Sequence, residues 1–158
     1  ISLDAINDQG IIRYPIELAL SEDLTLNWQW KLIDHPSLGP EDRSDGHDYV
    51  SVAAEFDNGR DLTWIWSQHL NNDHHLACPV KDWSKRETQY VVRNAADQRG
   101  QWLSESRRVH ADVWKSQGQP PKKVVAIWLI AVCTFSHGRL RADFRDISLV
   151  NREIQRIL

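Results

Sequence analysis

The stretch from Leu24 to Leu32 places a large apolar residue at every second position. Successive side chains of a β-strand point to opposite faces of the sheet, so this alternation predicts a strand with one buried face. Trp28 and Trp30 lie on that buried face, and two tryptophans there require a thick core between two packed sheets. The chain is therefore expected to fold as two layers of β-sheet, with this strand contributing to the core.

Strand patterns of the same kind recur along the chain, and only one short helix is indicated. Apolar residues predict strands at 11–20, 49–56, 62–67, 88–94, 102–109, 123–133 and 140–150. Pro15 has no backbone N–H, so the first of these strands is expected at a sheet edge. The unbroken apolar run Val124 to Val132 predicts a central strand. The helix is predicted at 110–118, where Gly118 ends it.

Together these elements predict an all-β protein. Many short strands without alternating helices are typical of an antiparallel two-sheet β-sandwich, and we expect a jelly roll of eight or nine strands with one short helix. Helical spacing of the last apolar residues predicts a C-terminal helical tail. The 158 residues, 41% of them apolar, suit a single sandwich domain at 1–150 followed by the tail at 151–158.

The charge balance argues against a nucleic-acid partner. The chain has 19 basic and 22 acidic residues and a formal net charge of −3, whereas binding to phosphate backbones needs concentrated positive charge. A membrane helix needs about 20 consecutive apolar residues, and no apolar run approaches that length, so no membrane span is expected. The chain begins at Ile1, as expected of a trimmed chain or of a mature chain after removal of a signal peptide.

The two cysteines, Cys78 and Cys133, leave two alternatives open. They form one disulfide if the protein is exported, or are two buried thiols if it is not. Neither belongs to a CxxC motif. The sequence has no nucleophile elbow, P-loop, dinucleotide fingerprint or metalloprotease helix, so no motif indicates catalysis.

The eight tryptophans are the main indication of a binding surface. The strand 62–67 repeats the Trp-x-Trp pattern, and a core filled by both pairs would be crowded, so one pair is expected on an accessible face. Trp83 lies in a loop, where packing does not explain it, and the long loop 34–48 is a second expected site. The predicted ligand-binding residues are Trp64, Trp66, Trp83, His47, Asp48, Tyr49 and Arg107, with Asn27 or Gln29 as polar neighbours.

Two loops contain residue types that bind metals, but neither has the spacing of a known motif. The loop 68–87 carries the zinc-type ligands His69, Asp73, His74, His75 and Cys78, and we interpret it as a solvated loop. The loop 41–48 is rich in carboxylates but departs from the EF-hand pattern. This leaves a structural calcium ion, bound by Asp45, Asp48 or Asp146, as an open alternative, and no other cofactor is expected.

Several blocks of the chain, in a fixed order, carry a family resemblance. They are Leu26-Asn27-Trp28-Gln29-Trp30-Lys31-Leu32, Gly46-His47-Asp48-Tyr49 with the strand to Phe56, Leu62-Thr63-Trp64-Ile65-Trp66-Ser67, Trp102-Leu103-Ser104-Glu105-Ser106-Arg107-Arg108-Val109, Pro120-Pro121 with the strand Val124 to Val132, and Ala142-Asp143-Phe144-Arg145-Asp146-Ile147-Ser148-Leu149. These blocks resemble a bacterial domain-of-unknown-function family that is usually found behind an export signal. The resemblance implies a β-sandwich and a periplasmic or secreted location, and it implies no activity. More distantly, the order of elements is similar to that of galactose-binding-like carbohydrate-binding modules, an analogy of fold that does not determine function.

Three functions follow from these observations. The first is a non-catalytic exported module that binds a glycan or another cell-envelope ligand, favoured by the tryptophans and the lack of catalytic motifs. The second is a jelly-roll polysaccharide hydrolase or lyase, which needs a cleft with Glu55 or Glu105 within hydrogen-bond reach of His47 or Arg107. The third is a structural subunit of an envelope assembly that docks through the tail 151–158.

Overall fold

A computed structural model describes residues 1–158 as two β-sheets and one short helix. In chain order the elements are β1 (Ser2–Ile6), β2 (Gln9–Ala19), β3 (Thr25–Asp34), β4 (Tyr49–Phe56), β5 (Asp61–Trp66), β6 (His75–Ala77), β7 (Glu87–Arg93), β8 (Leu103–Arg108), α1 (Val109–Gln117), β9 (Lys123–Val132), β10 (Arg139–Val150) and β11 (Gln155–Ile157). The five-stranded sheet has the order β1-β10-β3-β8, with β11 paired to β10. The six-stranded sheet has the order β2-β9-β4-β5-β7-β6. The protein is therefore mostly β, as expected, and its two sheets are consistent with a β-sandwich.

The core between the two sheets contains both tryptophan pairs. The Trp28 ring of β3 lies 5.8 Å from the Trp64 ring of β5, and the Trp30 ring lies 5.4 Å from the Trp66 ring. All four side chains are at most 1% exposed. Large aromatic surfaces removed from water in this way contribute strongly to stability. The prediction that β3 supplies the core is confirmed.

Details of strand placement also agree with the sequence. β2 is an edge strand, and its pairing with β9 is interrupted between Pro15 and Leu18, where proline cannot donate. β9 lies between β2 and β4. In β10 the register shifts between Arg145 and Ser148, and Asp146 has φ of 53°, so the strand contains a bulge. α1 ends at Gly118, which has φ of 83°.

Three expectations about the fold are corrected. β5 and β7 are parallel, so the sandwich is not antiparallel throughout. After β5 the chain first forms the edge strand β6. It then reverses, and β7 lies between β5 and β6, antiparallel to β6 and parallel to β5. Neither β1 nor β6 was predicted, because five and three residues are too few for a clear alternation. The jelly-roll topology stays a prediction.

The third correction concerns the C-terminal tail, which is a strand and not a helix. The Asn151 side-chain oxygen accepts the backbone N–H groups of Glu153 and Ile154, each at 2.9 Å, and this turn reverses the chain. β11 then pairs with residues 148–150 of β10. Eight residues are too short a window for helical spacing to outweigh such a turn. The only helix, α1, has nine residues, and no helix of the structure is long and apolar enough to span a membrane.

Candidate functional site

The outer face of the six-stranded sheet carries a groove of about 250 Å³. Its floor consists of side chains that alternate with the core residues of their strands, including Ala53 of β4, Thr63 of β5 and Ile130 of β9. Loop residues complete the lining, among them Trp83 and Phe135. The groove is therefore formed by the sheet together with the loops at its margin.

Two tryptophans of the groove are each covered by an arginine. Trp83, in the turn before β7, is 44% exposed, and the Arg86 guanidinium lies 5.1 Å from its ring centroid. The Arg13 guanidinium lies 5.4 Å from the centroid of Trp128. The Trp128 Nε1–H donates to Oε2 of Glu55 at 3.0 Å. The rings are thus held by charged groups and not by apolar packing alone.

A chain of ion pairs crosses the outer face beside these rings. Arg13 Nε lies 2.9 Å from Glu55 Oε2, and Glu55 Oε1 lies 3.6 Å from an Arg86 nitrogen. Arg86 Nε in turn lies 3.0 Å from Asp61 Oδ2. Such pairs near the surface contribute little to stability, typically about 0–1 kcal/mol each. What they do here is fix the positions of charges and aromatic rings along the groove.

Two buried oxygens of the groove have no hydrogen-bond partner within the chain. They are Oδ1 of Asp61 and Oγ1 of Thr63, from side chains that are 7% and 1% exposed as residues. Burial raises the pKa of Asp61 to about 6, against the opposing effect of Arg86. An unpaired buried polar atom costs about 1–3 kcal/mol. Both atoms are therefore candidates for hydrogen bonds to a ligand.

His47 and Cys78 form a buried pair in the lining of the groove. His47 Nδ1 lies 2.7 Å from the carbonyl oxygen of Glu41, which can only accept, so Nδ1 carries the proton and Nε2 is an acceptor. The Cys78 Sγ lies 3.3 Å from that Nε2, and Gln89 Nε2 donates to it at 3.2 Å. Burial, reinforced by the Glu87 carboxylate, raises the pKa of Cys78 to about 12. The thiol is therefore protonated and acts as a hydrogen-bond donor.

Glu87 lies next to Asp61 and has only neutral partners. Asp61 and Glu87 are paired in the register of the parallel strands β5 and β7, and both line the groove. Oε1 of Glu87 accepts hydrogen bonds from the Tyr49 hydroxyl at 3.3 Å and from Gln89 Nε2 at 3.2 Å. Burial and the Glu87 carboxylate raise the pKa of Tyr49 well above its usual value. No cation neutralises Glu87 directly.

Two buried carboxylates connect the long loop 34–48 to the chain segments that follow β5 and β9. Glu41 accepts hydrogen bonds from the Ser67 hydroxyl and from the Gln68 backbone N–H, both at 2.6 Å. Asp48 accepts the backbone N–H groups of Phe135 at 3.0 Å and Ser136 at 2.7 Å. Asp48 therefore positions Phe135, which lines the groove.

A comparison with family models finds a match over residues 1–148 to a family described as a protein of unknown function, DUF3047. The chain belongs to the DUF3047 family. A search of the curated proteins found no match. The resemblance to an uncharacterised family is thus confirmed.

The structure of this DUF3047 chain brings some predicted ligand residues together and separates others. Trp83, His47 and Tyr49 line the groove. The expectation of an accessible face at Trp64 and Trp66 is wrong, because both rings are completely buried against β3. The two pairs fit one core because they meet ring to ring across the sandwich and do not compete for the same space.

Asp48 and Arg107, which were also predicted to bind a ligand, do not line the groove. Asp48 is fully buried, and its carboxylate is occupied by the loop that it positions. Arg107 Nε and an Arg107 terminal nitrogen donate to the two oxygens of Asp112 at 2.7 and 2.8 Å. Asp112 also accepts a hydrogen bond from Trp64 Nε1 at 2.8 Å. Arg107 is therefore part of the hydrogen-bonded group that supports the core beneath α1.

Sequence reasoning missed Trp128, Asp61 and Thr63. Trp128 lies in an apolar run that was expected to be buried on both faces, yet it alternates with the core residues Ile127 and Leu129 and points outward. Every residue from 124 to 132 is apolar, so no alternation in the sequence indicates this outward orientation. Asp61 lies between the predicted strands 49–56 and 62–67, and aspartate is also common in turns, so its residue type does not indicate a place in a groove.

The paired-carboxylate arrangement expected of a glycosidase is absent. Glu55 is on the outer face of the six-stranded sheet, whereas Glu105 is on β8 of the five-stranded sheet. Glu105 accepts from Trp30 Nε1 at 3.1 Å and from Arg93 Nε at 2.5 Å. Neither glutamate is hydrogen-bonded to His47 or Arg107, so the structure does not bring together the residues named for a hydrolase or lyase.

The metal-type residues of the loop 68–87 do not assemble. His69, Asp73, His74 and His75 are all exposed, whereas Cys78 is buried in the groove lining. The structure has no group of three or more His, Cys, Asp or Glu side chains arranged to hold a metal ion. Cys78 and Cys133 are both free and buried. Of the two alternatives for the cysteines, a disulfide or two buried thiols, the structure therefore has the second.

Proposed function

We propose that this chain is a non-catalytic binding module that takes a glycan or a related cell-envelope ligand in the groove. The observation that carries this proposal is the combination of the aromatic rings Trp83 and Trp128 with the unpaired oxygens of Asp61 and Thr63 in one cavity. Sugars have apolar C–H faces that pack on aromatic rings, and they have hydroxyl groups that donate hydrogen bonds. The groove offers partners for both.

The chemistry of the groove favours binding over catalysis. The Cys78 thiol is protonated and donates to His47, so it is not an activated nucleophile. The Glu55 carboxylate is held by two arginines and by Trp128. A hydrolase or lyase would need a nucleophile or base that is free to react, and these two groups are not.

We also propose that the fold is a jelly roll and that the protein is exported to the periplasm or secreted. Support for the jelly roll comes from the strand orders β1-β10-β3-β8 and β2-β9-β4-β5, which interleave early and late strands in each sheet. Export is supported by the family resemblance of the sequence blocks, whereas the two free buried thiols of Cys78 and Cys133 give it no support. An envelope location agrees with a glycan ligand, because cell-envelope polymers are rich in sugars.

The proposal is tested by a glycan array followed by titration of the best ligand. Trp83→Ala is expected to weaken binding at least tenfold, because the exposed ring is lost from the groove. Trp114→Ala is the matched control: Trp114 is 63% exposed on α1 and does not line the groove, so its removal should leave binding unchanged. Thermal melting verifies that both variants are folded. An array without hits, or equal losses in the two variants, would contradict the proposal.

A further inference from the structure

The groove has an excess of negative charge at one end. Three carboxylates, of Glu55, Asp61 and Glu87, lie on its strands, and two guanidinium groups, of Arg13 and Arg86, pair with the first two. Glu87 takes part in no ion pair and is 6% exposed. One negative charge of the groove is therefore without a direct counterion, in a site where water screens it poorly.

Glu87, the carboxylate without a counterion, lies beside Oδ1 of Asp61, the oxygen without a hydrogen-bond partner. Asp61 and Glu87 are lateral neighbours in the register of β5 and β7. Oδ2 of Asp61 is paired with Arg86, whereas Oδ1 has no partner within the chain. An ionised carboxylate can only accept hydrogen bonds, so a ligand at this point has to donate. A ligand carboxylate, sulfate or phosphate would instead meet like charge.

We infer that the ligand of the groove is a glycan with free amino groups, whose protonated amine is received by the Asp61 and Glu87 carboxylates. This inference rests on the proposed function, since it names the chemical class of the glycan. The amine supplies both the positive charge and the N–H donors that this end of the groove lacks. Thr63 lies two positions from Asp61 on β5 and on the same face of the sheet. Its unpaired Oγ1 can accept a hydrogen bond from an adjacent sugar hydroxyl or donate one to it.

The aromatic residues of the groove are compatible with a cationic ligand. Trp83 and Trp128 already lie beneath guanidinium groups, which shows that the ring faces at this site attract positive charge. Arg13 and Arg86 are themselves paired with carboxylates, so they do not add net repulsion toward an amine. The amine-bearing sugar can then pack on Trp83 while its amine reaches the two acids.

Isothermal titration calorimetry with matched oligosaccharides tests the inference. The probes share one linkage and length: a β-1,4-glucosamine oligomer with free amines, its N-acetylated form and the glucose oligomer. A uronate oligomer and a short lysine peptide complete the set. We expect the glucosamine oligomer to bind at least tenfold more tightly than either neutral oligomer, and the uronate oligomer not to bind.

Two isosteric variants separate charge recognition from general sugar binding. Asp61→Asn and Glu87→Gln should weaken binding of the glucosamine oligomer far more than binding of the neutral oligomers, and so remove most of the preference for the free amine. Trp83→Ala should weaken all three oligomers alike. Asp4→Asn, the same change on β1 of the other sheet, is the control and should leave the preference intact.

Each outcome bears on one of the two proposals. Equal affinity for charged and neutral oligomers would overturn the amine inference and leave glycan binding standing. No affinity for any oligosaccharide would overturn the proposed function. A lysine peptide that binds as tightly as the glucosamine oligomer would support an amine site and overturn the assignment of that site to a glycan.

Discussion

Cys78 Sγ lies 3.3 Å from Nε2 of His47, while Nδ1 of the same ring is hydrogen-bonded to the Glu41 carbonyl oxygen. This pair connects the long loop 34–48 to the segment that follows β6. Burial lowers the pKa of His47 and raises that of Cys78, so both groups are neutral at physiological pH. The arrangement has the atoms of a cysteine–histidine pair of a hydrolase, but the thiol serves as a donor that fixes the histidine.

Cys78 is therefore expected to react slowly with thiol reagents. With a pKa of about 12, about one thiol in ten thousand is ionised at pH 8. In a Cys133→Ser variant, which isolates Cys78, we expect labelling by Ellman's reagent to be slow in the native protein and complete within the mixing time of denaturation. Rapid native labelling at pH 8 would mean that His47 holds Cys78 as a thiolate, and the non-catalytic interpretation would then be wrong.

Asp61→Asn is expected to stabilise the protein at pH 8 although it impairs binding. The folded pKa of Asp61 is about 6, above the usual 3.8, so the stability linked to its proton is fully present below pH 3.8 and is lost as the pH rises through 6. Burial is the main cause, Glu55 and Glu87 add to it, and Arg86 opposes it. An uncharged isostere avoids this loss.

The measurement is the melting temperature of wild type and variant at pH 4 and pH 8. The gain of Asp61→Asn should appear at pH 8 and disappear at pH 4, where wild-type Asp61 is protonated. Asp4→Asn is the control, since Arg139 lowers the pKa of Asp4 and its neutralisation should bring no gain at pH 8. A lower melting temperature of Asp61→Asn at both pH values would show that the Arg86 pair outweighs burial.

Gly46→Ala is expected to disturb the loop that carries His47 and Asp48. A Cβ atom at Gly46 would lie 2.7 Å from the Pro40 carbonyl oxygen and 2.9 Å from that of Gly39, so the backbone must move. We expect a loss of about 1–3 kcal/mol in the free energy of unfolding, measured by urea denaturation. In the control Gly10→Ala, the new Cβ meets Leu3 at an ordinary 3.6 Å. Equal stabilities of the two variants would refute the close approach.

Asp112→Ala is expected to destabilise the core beneath α1. The change removes the acceptor of Trp64 Nε1 and both hydrogen bonds of Arg107, and it leaves a partly buried guanidinium without its partner. The expected loss is about 3 kcal/mol in the free energy of unfolding. The exposed Asp42→Ala should change it by less than about 0.5 kcal/mol. An equally small loss for Asp112→Ala would mean that water solvates the Arg107 guanidinium without any decrease in the free energy of unfolding.

Much of the sandwich could be predicted because strand alternation is a local property. Each side chain of β3 and β4 faces the core or away from it according to its position in a period of two. Proline in β2 indicated an edge for the same kind of reason, a missing donor. The tail was mispredicted because its structure depends on a turn made by the Asn151 side chain and on pairing with a distant strand.

The groove could be predicted only in part. Trp83 was recognised because a large aromatic residue in a loop is unusual, but Trp64 and Trp66 have the same local pattern whether they face solvent or a second sheet. Their burial depends on β3 lying opposite, a contact between residues far apart in the sequence. Trp128 was missed for the converse reason, since its strand was assumed to be covered on both faces.

The sequence by itself determined the class of fold, the extent of most strands and the two faces of each, because these depend on backbone geometry and on the spacing of apolar residues. Only the tertiary structure decided which tryptophans form the core and which line a groove. It also decided that Asp61 and Glu87 are neighbours, through the parallel pairing of β5 and β7. Proximity across strands depends on long-range topology and register, and a groove made of such neighbours has no signature along the chain.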